Sequence, residues 1–127
     1  MAVATANADD HLLLEAIAQV EGHAWSDNGG RYAIMPQTWR QHTTLPYRYV
    51  HDPKISTSIA IKHLRWIRLS LADMGMAATP YMLAGCWRSG QRRFSGDNAP
   101  EHHRYYAERV RNLYWERVTD SSTPDEP

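Results

Sequence analysis

Residues 52–75 read DPKISTSIAIKHLRWIRLSLADMG, and this stretch decides the fold class. Asp52 has the side chain of a helix N-cap, and Pro53 has the fixed φ that suits a first turn. From there Ile55, Ile59, His63 and Trp66/Ile67 recur on one stripe, widened by Ala60, Leu64, Leu71 and Met74. Gly75 is the expected stop, because the position after a last turn favours a residue free to turn left-handed. Towards the N-terminus, Asp9 and Asp10 are candidate caps for a helix carrying Leu13, Leu14, Ile17, Ala18 and Val20. That helix is expected to end near Gly22, with Glu21 in its last turn. A polar loop, His23 to Gly30, follows. A short apolar run from Tyr32 to Met35 then stops at Pro36, which fits the first position of a short helix carrying Trp39. On the other side, Thr79-Pro80 opens a helix through Trp87 that the Ser89-Gly90 turn closes. Pro100-Glu101 opens a last helix on which Tyr106, Val110, Leu113 and Tyr114 share a face. No segment sustains a period of two. The expected class is mainly α.

Composition narrows the function classes. The chain has 127 residues, with 14 Lys+Arg against 14 Asp+Glu, seven His and one Cys. One domain fits this length, and a core can form without staples. A single Cys excludes an intramolecular disulfide framework and argues against a Cys-based zinc site. Zero net charge argues against binding nucleic acid through a general basic field. No apolar run approaches the roughly 20 residues needed to cross a bilayer. Residues 1–8 are expected to be a flexible flank without the basic start and long apolar run of a secretory signal, residues 9–118 the folded domain, and residues 119–127 a disordered polar tail.

Glu21 stands out chemically. A carboxyl at the C-terminal end of a helix, beside its apolar face, meets the negative end of the helix dipole. Dipole and desolvation together favour the protonated form, as a general acid requires. The bland alternative is a solvated residue that merely ends the helix.

Ala16-Ile17-Ala18-Gln19-Val20-Glu21, a short polar loop and then Ile34-Met35-Pro36-Gln37-Thr38-Trp39 resemble the signature of the lytic transglycosylases of the lysozyme-like superfamily. Three further blocks fall in the same order. Asp52-Pro53 with Ile59-Ala60 and Leu64 resembles that family's long helix, and Ala84-Gly85-Cys86-Trp87-Arg88-Ser89-Gly90 its Asn-Ala-Gly block. Tyr106-Ala107-Glu108-Arg109-Val110 with Tyr114 is similar to its closing tyrosine segment. The resemblance covers about residues 12–115. It implies an α+β lysozyme-like fold: a single helical domain with a minimal or vestigial β region and a substrate groove. It also implies cleavage of the β-1,4 bond between N-acetylmuramic acid and N-acetylglucosamine in peptidoglycan, with Glu21 as the catalytic residue and no cofactor. By the same resemblance Tyr106 is an active-site tyrosine and Met35 lines the groove. Tyr32 and Trp87 are the other aromatic residues whose positions suit stacking on sugar rings.

This chain departs from the family at three polar positions. Ala33 stands where the family has Gln, Arg88 where it has Asn, and Gly22 where it has Ser. Arg88 is therefore expected to contact either the substrate or Glu21, and an Arg beside Glu21 works against general-acid chemistry. The alternative function is a catalytically weak or inactive glycan-binding or scaffold module that retains the fold. A third reading is a helical interaction domain with Glu21 facing bulk solvent. The implied partners are peptidoglycan strands, met in the periplasm, the cell envelope or outside the cell, or in a secretion or phage apparatus. Asp27 is either a second carboxylate or a turn residue in Ser26-Asp27-Asn28-Gly29-Gly30. His23, His102 and His103 lack metal-ligand spacing, so no metal site is expected. Cys86 is expected to be a small buried residue.

Overall fold

A computed structural model describes residues 3–22, 29–90 and 94–122. Five α-helices are present among them: α1 Val3–Glu21, α2 Pro36–His42, α3 Pro53–Asp73, α4 Pro80–Ser89 and α5 Glu101–Ser122. Short 3₁₀ turns at Gly30–Tyr32, Tyr47–His51 and Gly96–Asn98 connect them. The protein is mainly helical. No strand occurs among the described residues, so the minimal β region implied by the resemblance is missing from them. Residues 29–34, ahead of α2, instead form a tight turn in which the Ile34 N–H donates to the Gly29 carbonyl at 3.0 Å. Gly29 is indispensable there, because a Cβ on it would fall on the backbone of Ile34.

The punctuation of the long central helix is as the sequence indicates. Asp52 accepts from the backbone N–H groups of Lys54 and Ile55, each at 3.0 Å, and so satisfies two of the free donors of the first turn. At the other end Met76 N–H reaches the Leu71 carbonyl at 2.8 Å and Gly75 N–H reaches Ala72 at 3.0 Å, around a left-handed Gly75 (φ 71°). This pair of bonds is the Schellman arrangement. Met74 lies at the end of the helix and is exposed, so it does not widen the apolar stripe as expected. Thr79 caps α4 by accepting from Met82 N–H at 3.1 Å.

The core gathers Leu13, Leu14 and Ile17 of α1, Trp39 of α2, Ile59, Leu64, Ile67 and Leu71 of α3, Leu83 of α4 and Val110 of α5. α5 packs along both α4 and α1. Two boundaries differ from the sequence reading. α1 begins at Val3, so Asp9 and Asp10 lie inside it instead of capping it. Asp10 is 1% exposed and bonded to Arg68 of α3, with Nη2 at 2.6 Å and Nε at 3.0 Å from the same oxygen. α5 continues past Val118 to Ser122. No helix among the described residues is long and apolar enough to cross a membrane.

Close packing of α4 yields one prediction. A Cβ built on Gly85 would overlap the edge of the Phe94 ring. Alanine normally gains about 1 kcal/mol over glycine in a helix, whereas overpacking costs about 1–3 kcal/mol. Overpacking wins here because Phe94 is itself buried and has little room to retreat. Gly85→Ala is therefore expected to lower the free energy of unfolding by about 1 kcal/mol, read as a lower urea midpoint at an unchanged slope.

Candidate functional site

Glu21 ends α1 and its side chain is 11% exposed. It lines a cleft of about 420 Å³ together with Ala33, Ile34, Met35, Thr38, His63, Trp87 and Arg88. α1 brings the carboxyl, the turn before α2 and α2 itself bring residues 33–38, α3 brings His63, and α4 brings Trp87 and Arg88. Glu21 is thus shielded from bulk solvent on the wall of a depression, unlike the solvated helix end of the bland reading.

Two groups flank the carboxyl. Arg88 Nη1 lies 3.8 Å from Glu21 Oε2, an ion pair too long for a hydrogen bond, and Arg88 is about half exposed. Its guanidinium also sits 5.4 Å from the centre of the Tyr106 ring. Such exposed pairs contribute about 0–1 kcal/mol, so little holds Arg88 in this pose. Tyr106, on α5, is buried and its hydroxyl makes no hydrogen bond of full geometry. Burial pushes the phenol well above its ordinary range, the charge and acceptor oxygens of Glu21 push it further, and Arg88 pulls the other way. Tyr106 therefore remains a protonated donor beside the carboxyl at any physiological pH.

Of the residues expected at the site, Glu21, Met35, Trp87 and Arg88 come together on the cleft wall, and Tyr106 lies behind Glu21. Tyr32 does not reach the wall. It is 3% exposed, its hydroxyl pairs with Thr57 Oγ1 at 2.8 Å, and its carbonyl accepts from Trp87 Nε1 at 3.0 Å. Its backbone carbonyl anchors the N–H edge of the Trp87 indole. Ala33, which takes the place of an amide in the resemblance, brings no polar side chain to the cleft and adopts a left-handed backbone (φ 56°). Asp27 and His23 lie outside the described residues. Cys86 is buried, and burial pushes its thiol up to about 11, which leaves it protonated and inert. Among the described residues no group of three His, Cys, Asp or Glu is placed to hold a metal ion.

His63 is the cleft residue that sequence reasoning did not single out. On the chain it reads as one member of the apolar stripe of α3. In space its ring lies 5.7 Å from Trp66 at an interplanar angle of 13°, 5.2 Å from Trp87 and 5.1 Å from His42. His42 Nε2 and His63 Nδ1 share a hydrogen bond of 3.0 Å. Burial, then the charge of His42, lowers His63 to about 4, so the ring is neutral at neutral pH. His42 is lowered too, by burial and then by the charge of Lys62.

This carries a pH prediction. A histidine near 6.5 in the unfolded chain and about 4 in the folded one binds more protons when unfolded. Its contribution to stability is complete above pH 6.5 and is lost as pH falls towards 4. The loss is of order 3 kcal/mol. Urea midpoints recorded across that window should fall for the wild type and flatten for His63→Phe.

Comparison with protein-family models, curated proteins and solved structures gives no match.

Proposed function

We propose that the chain is a peptidoglycan-cleaving glycosidase of the lytic transglycosylase type, with Glu21 as its single acid and base. The observation that carries this reading is the placement of Glu21: a shielded carboxyl on the wall of a cleft that also offers an indole, a thioether and a hydroxyl. Cleavage needs a proton on the glycosidic oxygen as the bond to the anomeric carbon breaks. Protonated Glu21 supplies it. The carboxylate left behind then takes the proton of the muramoyl 6-hydroxyl as that oxygen closes onto the anomeric carbon, giving a 1,6-anhydro product and restoring the acid. Tyr106, held protonated beside the carboxyl, is placed to stabilise the carboxylate form of Glu21 as it develops. The Trp87 ring and the Met35 side chain give the apolar faces of the sugars a surface to lie on. Such chemistry places the protein where peptidoglycan is, in the cell envelope or in an apparatus that crosses it.

A second reading rests on Arg88. Its approach to Glu21, together with the apolar side chain of Ala33, favours a glycan-binding or scaffold module with little cleavage. One experiment separates the two. Purified sacculi are incubated with the wild type or Glu21→Gln, and released muropeptides are identified by mass spectrometry. Anhydro-muropeptides from the wild type that vanish in the variant support the transglycosylase. Reducing-end products indicate hydrolysis by the same carboxyl. No release, with wild-type protein still pelleting with sacculi, gives the binding module.

A further inference from the structure

His63 is the polar cleft residue for which the proposed chemistry has no use, although three helices converge to hold it. Trp66, Trp87 and His42 fix the faces and edge of its ring, and Nδ1 is committed to His42 Nε2 at 3.0 Å. The remaining ring nitrogen, Nε2, has no partner among the described residues and is not sealed from solvent. His63 is among the residues that line the cleft. A ring so clamped, with one nitrogen occupied and the other open, is built to present a single hydrogen-bonding atom to whatever enters.

We infer that His63 is a substrate-contacting residue of this cleft, presenting Nε2–H to an acceptor oxygen of an N-acetylated β-1,4 glycan, and that His42 sets this tautomer. The inference takes its ligand class from the proposed function. The N···N contact carries one proton. When that proton sits on His42 Nε2, His63 Nδ1 accepts it, and the neutral His63 ring must carry its own proton on Nε2. If His42 is charged, both of its nitrogens bear hydrogens and no other arrangement is open to the pair. The reverse arrangement would turn a bare lone pair into a cleft shared with the acceptor oxygens of Glu21, and such oxygens favour a donor there. Acetamido carbonyls and ring hydroxyls are the acceptors such a glycan brings. Trp87, in contact with His63, receives the sugar's apolar face beside that bond.

The test uses the intact chain with tetra-N-acetylchitotetraose, read by calorimetry and by ¹⁵N spectra of the imidazoles. His63→Phe keeps an aromatic ring, somewhat larger, against Trp66 and Trp87 and removes both nitrogens, with them the bond to His42. Its affinity is expected to fall roughly tenfold, with partial recovery in His63→Gln, which returns an N–H. In the wild type, the ¹⁵N shifts should show the Nε2–H form, and the Nε2 resonance should move on adding saccharide. His42→Phe should release the tautomer. If saccharide binds His63→Phe as well as the wild type, or if His63 is the Nδ1–H form or its resonances stay still, the inference is overturned and the Glu21 reading stands. A wild-type chain that binds neither the saccharide nor sacculi overturns both. Should the Phe variant not fold, the wild-type spectra decide alone.

Discussion

Glu21→Gln is expected to lower muropeptide release from sacculi by about 100- to 10,000-fold, the range that a positioned general acid or base contributes. Glutamine has the shape of glutamate, so the cleft wall and its packing on α1 stay as they are. What goes is the transferable proton. Arg88 loses only a loose 3.8 Å contact, and contacts of that kind are worth little. Thermal unfolding of the variant should therefore match that of the wild type while release collapses. Pelleting with sacculi should also persist, since Met35, Thr38, His63 and Trp87 are untouched. A variant that still releases anhydro-muropeptides at the wild-type rate would remove Glu21 from the chemistry altogether.

The largest expected loss of stability comes from Arg68→Ala. Asp10 is buried inside α1, and both contacts it makes to Arg68 fall on one carboxylate oxygen. Arg68 itself keeps about a quarter of its side chain in solvent. Removing Arg68 leaves the more deeply buried partner alone, and an orphaned buried charge costs about 3–5 kcal/mol. For a chain whose total stability is of order 5–15 kcal/mol, that is a large fraction. The asymmetry is itself a check. Replacing both residues by leucine removes the charge together with its partner, so the double variant should recover most of the loss in urea unfolding. A single variant as stable as the wild type would show that water, not Arg68, satisfies Asp10.

Asp10 also shows what a sequence can and cannot tell. The local signals at helix ends were legible: Pro36, Asp52, Gly75 and Thr79 stand where the structure starts or stops a helix. Each acts on neighbours within a turn, so its effect is written next to it. Asp10 read as one more such cap, but its partner is 58 residues away, and nothing near it announces that partner. The candidate site divides the same way. Glu21 was expected at the site from its place at a helix end, Met35, Trp87 and Arg88 with the family resemblance, and the four line one cleft. Tyr32 was expected on the wall and is buried, because Thr57 on a different helix takes its hydroxyl. His63 passed as an apolar-face residue because two of the groups that give it meaning, His42 and Trp87, arrive from other helices. The left-handed turn at Ala33 had no residue-type signal at all, since alanine does not favour it.

α5 packs back onto α1, where Arg117 reaches Glu15 at 2.9 Å and Gln19 at 2.6 Å, and it carries Tyr106 to the carboxyl. On a ribosome, the neighbour of Glu21 on α5 emerges 85 positions after it (106 − 21). At about 5–20 residues per second, several seconds separate the two. During that interval α1 has no α5 to lie against, and the carboxyl stands on an unshielded helix. Completion of the site thus waits on the arrival of α5.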